Sequence, residues 1–415
     1  MTPSDCARRV IAGADESIIA KMKCVFREGS DDEKVKFSRP FIETELNKSE
    51  KQMRQIASNK SNIRSARLLK KSEESLKEHK YHLTLKTLNQ ALAFAKEKEI
   101  IKKIESQRQH VLATSGLNSE INLKTGDTWD YTEEKERKNC LKWTSEMPKL
   151  LMGKNREIGA FSAAVELQYN EEFGRHLIAL QPISPGCVIG VELPFANVLH
   201  SSCKYTHCSQ CLAKAHFLIP CQNCAQAMYC SESCRAAAWS EHHAVECQIA
   251  GQLRTAGLSP VDVLAVRVLS LSKPDEILRC QAGGKRNSRC AGFSSTGRFE
   301  SDSLHAFMHI HCNPQGWTFE ETLRQLVTAL VILRVYGLDR HPQSIQLAAF
   351  VLRNLQSIPQ NSHEIAERCN CNGEKLSDHG IALGVPRLEY PAEFLAQLQA
   401  LGANDSMSPH ARRLG

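Results

Sequence analysis

Seven cysteines and two adjacent histidines lie close together between residues 208 and 247. They form four pairs, which are Cys208 with Cys211, Cys221 with Cys224, Cys230 with Cys234, and His243 with Cys247. A C-x2-C pair can direct both sulfurs at one ion, and residues four apart face the same side of a helical turn. Eight thiolate or imidazole donors in four close pairs are what two tetrahedral zinc sites require. The spacing therefore predicts that this segment binds two Zn²⁺ ions.

Disulfide bonds are the other common use of clustered cysteines, and they need an oxidising compartment. The N-terminal sequence MTPSDCARRV has no apolar segment of the kind found in signal peptides, so we expect a reducing compartment and metal-bound thiols. His242 is a competing ligand because it directly precedes His243. Cys203 lies outside the four pairs and is expected to be an ordinary thiol.

The ordered spacing resembles the MYND-type zinc finger, in which pairs one and three share one ion and pairs two and four share the other. The resemblance implies two four-residue sites, namely Cys208, Cys211, Cys230 and Cys234, and Cys221, Cys224, His243 and Cys247. It favours His243 over His242 because His243 keeps the family's H-x3-C spacing. Tyr229 and Trp239 also match, and we expect both to pack, since so small a module has almost no core without metal. Such a finger is expected to bind extended or proline-rich protein segments in a shallow groove.

The composition places the chain among globular proteins, with 415 residues of which 42% are hydrophobic, enough for two or three domains. The mild net charge of +7 is concentrated between Leu46 and His110, with sixteen Lys and Arg against seven Asp and Glu. Few aromatic residues interleave these charges, so we expect a solvated helix surface rather than direct nucleic-acid binding. The longest apolar run, Leu326–Leu333, is far shorter than the ~20 residues of a membrane span. We expect a soluble protein of the cytoplasm and nucleus with no membrane partner.

The N-terminal part reads as helical after an irregular start. We predict a polar, partly disordered segment over residues 1–61 and helices over residues 62–114, where Tyr81, Leu85 and Leu88 fall on one face. The phrase KYHLTLKTLNQALAFA resembles the second half of a tetratricopeptide repeat, and a plain helical hairpin is the alternative. Either could dock another protein. Residues 115–157 are expected to form a linker.

From residue 158 onward, the hydrophobic pattern changes to the two-residue alternation of β-strands. Alternation predicts strands at Ala164–Tyr169 and Arg175–Leu180, and a third strand at Cys187–Glu192 follows the turn Ser184-Pro185-Gly186. These strands would form an antiparallel meander that leads directly into the cysteine-rich segment.

The phrase AAVELQYNEEFGRHLIALQPISPGCVIGVELPFANVL resembles the N-terminal part of a SET domain. A SET-like segment directly before a MYND-like finger resembles the arrangement in the SET-and-MYND family of protein-lysine N-methyltransferases. The helical N-terminus resembles the branch of that family that carries tetratricopeptide repeats. The resemblance implies an α+β fold in which a helical N-terminal region precedes an N-terminal SET segment at 158–202. The MYND finger at 203–250 then interrupts the SET fold, and a helical insertion follows at 251–383.

Beyond the finger, apolar periodicity predicts helices over Ala256–Ser270, around Leu323–Leu333, and around Ile345–Leu355 with an end at Pro359. A further strand is expected from His379. A second group of metal-ligand types contains His305, His309, His311 and Cys312. No C-x2-C pair accompanies it, so we expect these side chains to be packed or exposed rather than bound to a metal.

The family resemblance also implies S-adenosylmethionine as methyl donor. Gly174, Arg175 and His176 match the family's first donor-binding turn, where His176 stands in place of a glycine common in SET domains. Asn361 stands where family members place an asparagine close to the donor.

Two family motifs, the N-H-S-C-x-P-N phrase and the aromatic segment with the catalytic tyrosine, do not occur in the sequence. No catalytic residue is therefore assigned, and residues 384–415 are expected to be a divergent tail. Two functions remain open. The chain is either a truncated or alternative form of a lysine methyltransferase, or a zinc-dependent adaptor or transcriptional co-regulator without methyl transfer.

Overall fold

The computed structural model describes residues 2–48, 60–115, 148–192, 194–281, 290–299, 303–369 and 377–385. It combines helices with short antiparallel strands, which is the predicted α+β class. Within these ranges, no helix has both the length and the hydropathy needed to cross a bilayer. Residues 116–147 of the predicted linker, the loop at 282–289 and residues 386–415 of the predicted tail lie outside the described residues.

Three helices occupy the beginning of the chain, α1 (Pro3–Gly13), α2 (Glu16–Glu28) and α3 (Asp31–Lys48). This differs from the expectation of a polar, irregular N-terminus. A capping box between Thr2 and Asp5 starts α1. The apolar residues of these helices are too sparse to show a clear period, but Val35 and Ile42 of α3 are fully buried. Their packing partners lie in the C-terminal helical region, so the local sequence pattern could not predict their burial.

The largest core joins those helices to the C-terminal helical region. That region contains α8 (Ala244–Thr255), α9 (Pro260–Leu271), α10 (Pro274–Gln281), α11 (Leu304–Phe307), α12 (Phe319–Tyr336) and α13 (Ser344–Asn361). Met22 and Ile42 share one buried cluster with Leu264, Leu326 and Phe350. The predicted helix end at Pro359 is corrected, because α13 continues to Asn361. Burial of Leu355 and Ile358 outweighs the hydrogen bond that the proline removes.

Residues 62–115 form three helices rather than a hairpin, α4 (Asn62–Lys77), α5 (Tyr81–Phe94) and α6 (Lys98–Ser115). The break before α5 contains His79 in the left-handed region, with φ of 56°. No proline or glycine marks this break, so residue type alone did not reveal it. The three helices bury their own small core, in which Leu88, Ile104 and Val111 are completely inaccessible.

Strands β1 (Val165–Asn170) and β2 (Gly174–Ala179) pair antiparallel as predicted, within one residue of the expected bounds. The third predicted strand, Cys187–Glu192, is corrected, because only an isolated bridge joins Gly190 to Phe161. A Cβ atom on Gly190 would lie 2.8 Å from the Phe161 ring. The ring packs directly on the backbone at this point, so the segment lies against residue 161 without forming a regular ladder with β2.

A three-stranded antiparallel sheet is formed by strands that lie before and after the finger in the chain. Strand β3 (Ala196–Leu199) pairs with β7 (Ser377–Val385), which pairs in turn with β6 (His363–Cys369). Strand β7 includes the predicted start at His379, whereas β6 was not predicted. The finger and the helical region α8–α13 are therefore inserted between two strands that pair with each other.

Candidate metal centre and the neighbouring turn

Short elements carry the four ligand pairs. Strand β4 (Ile219–Pro220) precedes Cys221, and β5 (Met228–Tyr229), its antiparallel partner, precedes Cys230. Helix α7 (Glu232–Ala238) starts at Ser231, whose hydroxyl accepts a hydrogen bond from the Cys234 amide at 3.2 Å. Each hairpin strand thus ends where a ligand pair begins.

The structure groups Cys208, Cys211, Cys230 and Cys234 in one cluster, with all four sulfurs within 4.8 Å of one another. The Sγ atoms of Cys211 and Cys230 are 3.6 Å apart, as are those of Cys230 and Cys234. Two sulfurs bound to one tetrahedral Zn²⁺ at 2.3 Å are separated by about 3.8 Å. The observed separations therefore fit a zinc site with four cysteine ligands.

The second cluster contains Cys221, Cys224, His243 and Cys247. The Sγ atoms of Cys221 and Cys247 are 3.7 Å apart, and Cys224 Sγ lies 3.5 Å from His243 Nε2. The shorter zinc–nitrogen bond reduces the expected sulfur–nitrogen separation to about 3.5 Å. His242 is buried but is not part of this cluster. The structure thus brings together the two ligand sets that the MYND resemblance implies, with His243 as the imidazole donor.

A widened helical turn separates the ligands of the two clusters. Trp239–His243 forms a π-helical turn between α7 and α8, closed by a hydrogen bond from the Ala244 amide to the Trp239 carbonyl. Such turns insert an extra residue into a helix and change the direction of the side chains that follow. Cys234 on α7 therefore points to the first cluster, while His243 and Cys247 point to the second.

The electrostatics of the clusters favour a divalent cation. Sulfur contacts with Cys224 lower the pKa of Cys221, whereas contacts with Cys221 and Cys224 raise the pKa of Cys247. Burial opposes the charged form of His243, but contacts with the sulfurs of Cys221 and Cys224 raise its pKa to about 9. One thiolate thus suppresses ionisation of its neighbour, and a cation between the donors would remove that conflict.

Backbone amides support the sulfur ligands. The amides of Gln210, Asn223 and Gln226 each donate to a ligand sulfur at 3.4 Å, those of Cys208, Cys221 and Cys224 respectively. Each amide lies two residues after its cysteine, and those of Gln210 and Asn223 lie within the C-x2-C turns themselves. These contacts orient the sulfurs and offset part of the thiolate charge.

The predicted donor turn lies at the start of β2. Gly174 has φ of 65°, a conformation that favours glycine. The guanidinium of Arg175 donates to the carbonyls of Ala291 and His309, both at 2.6 Å. His176 Nδ1 lies 3.1 Å from the Gly174 carbonyl.

Asn361 lies at the end of α13 and is buried. Its amide nitrogen donates to the carbonyls of His311 at 2.9 Å and Ser357 at 2.7 Å. Arg353, one α13 turn earlier than Ser357, donates to the carbonyl of Ile310 at 3.3 Å. Residues 309–311, here called the carbonyl strip, therefore receive side-chain donors from β2 and from α13.

The carbonyl strip was not predicted, and nothing in the spacing of Arg175, Arg353 and Asn361 could have revealed it. Of the histidines near it, His305 and His309 stack edge to face with centroids 4.6 Å apart. Over the residues that the structure describes, the only donor clusters with metal-site spacing are the two in the finger. His309 is buried, whereas His311 is exposed.

Known proteins share both the finger and its surroundings. The model of the MYND finger family matches residues 208–247. The chain is 31% identical over 294 residues to protein-lysine N-methyltransferase SMYD4 of Gallus gallus, covering 60% of this chain and 38% of that protein. It is 38% identical over 74 residues to N-lysine methyltransferase SMYD2 of Bos taurus, covering 18% of this chain and 17% of that protein. The chain is similar to members of the SET and MYND domain-containing family.

Among these relatives, the chain is similar to the SMYD4 branch. A second member of that branch, protein-lysine N-methyltransferase SMYD4 of Mus musculus, is 31% identical over 122 residues, which cover 25% of this chain and 15% of that protein. The chain spans less than two fifths of the length of these SET–MYND relatives. The MYND finger itself is a protein–protein interaction domain.

Proposed function

We propose that this chain carries a zinc-dependent protein-docking finger within a SET–MYND protein-lysine N-methyltransferase. The eight clustered residues would hold two Zn²⁺ ions, which supply the folding energy that so small a module lacks. The observation that carries the proposal is the separation of the ligand atoms, 3.5 to 3.7 Å in both clusters, which suits tetrahedral zinc.

The docking surface would lie on the helical side of the finger. Trp239 is 42% exposed and Val245 is 44% exposed, and both stand on the helix that carries His243. An exposed aromatic residue on a rigid, metal-bound element suits an extended proline-rich segment, which loses little entropy on binding. The Trp239 ring is held edge to face by His243, with centroids 6.1 Å apart.

A binding measurement with a fluorescent proline-rich decapeptide tests this surface. Trp239→Ala should weaken binding at least tenfold, since aromatic residues dominate such interfaces. Phe173→Ala is the matched control, because Phe173 is an equally exposed aromatic residue on the β1–β2 hairpin. The proposed surface would be contradicted if both variants lost binding equally or if neither variant lost binding.

The methyltransferase part of the proposal is supported by the names of the relatives and by the turn at Gly174. S-adenosylmethionine, when bound, supplies a sulfonium methyl group for transfer to a lysine amine. Gly174 would let the backbone approach the donor. Both amide hydrogens of Asn361 are used within the protein, so its side chain would offer Oδ1 as a hydrogen-bond acceptor.

The alternative function is that of an adaptor or transcriptional co-regulator without methyl transfer. The observation that favours it is the finger itself, whose two donor clusters and exposed Trp239 suit protein binding without any methyl donor. The residues present would then serve protein binding alone.

Calorimetric titration with S-adenosylmethionine separates these two functions. Binding tighter than roughly 100 µM, about −5.5 kcal/mol, would support methyl transfer and exclude the purely adaptor function. The protein must carry its zinc during the titration, and S-adenosylhomocysteine serves as a second ligand that lacks the transferable methyl group. We further infer that the chain acts in the cytoplasm and nucleus, which fractionation of cells that express it would test.

A further inference from the structure

One side of the finger is covered by helices from the same chain. Helix α5 places Ala93 and Phe94 in a buried cluster with Leu218, Ala225 and Met228 of the finger. Met228 lies in β5, directly before Tyr229 and the ligand Cys230, and Cys230 itself packs against this cluster. The α4–α6 unit therefore touches the strand that leads into the first metal cluster.

Two buried polar side chains extend this contact to the finger backbone. Asn89 on α5 donates to the carbonyls of Tyr205 at 3.0 Å and His216 at 3.1 Å. Arg108 on α6 donates to the carbonyl of Leu218 at 3.3 Å. Its guanidinium also lies over the Phe217 ring, 4.4 Å from the centroid. Both side chains are at least 97% buried, so these donors are committed to the finger and are shielded from water.

Two of the three bound carbonyls, those of His216 and Leu218, belong to a segment that connects the two metal clusters. Residues 212–220 connect the pair Cys208 and Cys211 of one cluster to the pair Cys221 and Cys224 of the other. This connection is one of three segments that run from one metal cluster to the other, with residues 225–229 and 235–242. Apart from the two-residue strand β4, it has no regular structure of its own. External donors at His216 and Leu218 restrain it.

The ammonium group of Lys60 also supports a link between the α4–α6 unit and the finger. Lys60, just before α4, donates to the carbonyl of Ala93 at 3.1 Å. Burial lowers the pKa of Lys60, while the nearby sulfurs of Cys221, Cys224 and Cys247 oppose that shift. A zinc ion with three thiolates and one neutral imidazole keeps an excess negative charge. An ammonium group near such a site stabilises the bound form.

We propose that the α4–α6 unit is the intramolecular partner of the MYND finger, with Asn89 and Arg108 as positioning residues for its zinc sites. Zinc binding and helix docking are then one coupled equilibrium. By linkage, zinc stabilises the docked helices, and the docked helices retain zinc by the same factor. This coupling rests on the proposed zinc binding. It also means that the face of α5 with Asn89 and Phe94 is occupied by the finger and is closed to other proteins.

Zinc release from the full-length chain to a chromogenic pyridylazo chelator tests the coupling. Asn89→Leu and Arg108→Met should each release zinc about tenfold faster than the original protein, because each leaves buried finger carbonyls without donors. Arg108→Lys keeps one donor and should restore most of the retention. Arg67→Met is the matched control, since Arg67 is exposed on α4 and should leave the release rate unchanged.

Hydrogen exchange provides the reciprocal measurement and needs no variant. Removing zinc from the original protein should increase amide exchange in α5 at least tenfold, while α12, buried in the other core, stays protected. Unchanged exchange in α5 after complete zinc removal would overturn the proposal. The proposal would also be overturned if Asn89→Leu released zinc at the normal rate although the amides of its α5 had lost protection from exchange. Failure of zinc binding itself would appear separately, as fewer than two ions per chain before any chelator is added.

Discussion

Arg267 binds both carboxylate oxygens of Glu246, with Nε 2.6 Å from Oε1 and Nη2 3.0 Å from Oε2. Its remaining nitrogen, Nη1, donates to the carbonyl of Asn197 in β3 at 2.9 Å. Glu246 directly precedes the ligand Cys247, so one guanidinium connects the second metal cluster to α9 and to the strand before the finger. Burial opposes ionisation of Glu246, but Arg267 outweighs it and lowers the pKa of this carboxyl.

Arg267→Met should lower the free energy of unfolding by about 3 kcal/mol, because it leaves the Glu246 carboxylate largely buried without its partner. Both side chains of the pair are only 14% exposed in the folded protein. The measurement is urea unfolding at pH 7 in the presence of zinc. Exposed Arg8, which pairs with Asp5 at the surface, gives the control Arg8→Met, with an expected change below about 1 kcal/mol.

A double-mutant cycle identifies the source of that loss. Arg267→Met with Glu246→Gln should be less destabilised than the sum of the two single variants, since no buried charge remains unpaired. Additive single effects would mean that the two side chains stabilise the protein independently of each other.

Zinc stoichiometry should distinguish the two adjacent histidines. His243→Ala removes the nitrogen that lies 3.5 Å from Cys224 Sγ, so bound zinc should fall from two ions to about one per chain. His242→Ala should keep two ions, because His242 is not part of either cluster. Elemental analysis of the dialysed proteins provides the count.

The cysteines allow a second matched comparison of the same kind. Cys230→Ser should lose the ion of the first cluster, whereas Cys203→Ser, outside both clusters, should retain both ions. A full complement of zinc in both His243→Ala and Cys230→Ser proteins would show that the clusters do not hold zinc as assigned.

His363 should make the fold less stable in mildly acidic solution. Burial lowers the pKa of this histidine, the first residue of β6, below its ordinary value of 6.5. As the pH falls through 6.5, the unfolded chain takes up a proton that the folded chain excludes. The free energy of unfolding should therefore fall toward pH 5, by at most about 1.4 kcal/mol per pH unit from this group.

His363→Gln tests this dependence because glutamine carries no titrating group. Denaturant unfolding between pH 7.5 and pH 5 should show a shallower decline than in the original protein, measured with zinc present. His110→Gln, which replaces an exposed histidine on α6, should retain the original slope. An unchanged slope in His363→Gln would exclude a contribution from this residue.

Cys6 should react with thiol reagents only when the N-terminal helices unfold. It is 1% exposed in α1, and burial raises its pKa to about 11. Only about one molecule in ten thousand then carries the reactive thiolate at pH 7. Mass spectrometry after brief alkylation should find Cys24, which is exposed on α2, labelled long before Cys6. Comparable labelling rates would show that α1 does not pack as the structure describes.

Several features were predictable because their signals are local. The C-x2-C and H-x3-C spacings determine which side chains can share an ion, since two or three intervening residues leave few backbone paths. The helix predicted over Ala256–Ser270 is present as α9, but it begins at Pro260, where a capping box between Ser259 and Asp262 starts it. Strands β1 and β2 followed from strict alternation on either side of the turn that Gly174 closes.

Other features depend on residues that are distant in the chain. Helices α1–α3 bury Cys6, Met22, Val35 and Ile42 in one core together with residues of α9, α12 and α13. The roles of Arg175 and Asn361 also depend on distant residues, because the carbonyls that receive their donors lie in the strip at 309–311. No short-range pattern encodes these contacts, since each requires two segments to meet after the rest of the chain has folded.

The metal centre shows both kinds of information in one place. The sequence alone determined the eight donors and their four pairs, because ligand type and spacing are local properties. The tertiary structure alone decided what surrounds them: the π turn that directs His243, the Arg267 bridge to β3, and the α4–α6 unit that covers one side of the finger. Burial and hydrogen bonding between distant segments determine these neighbours, and spacing along the chain does not record them.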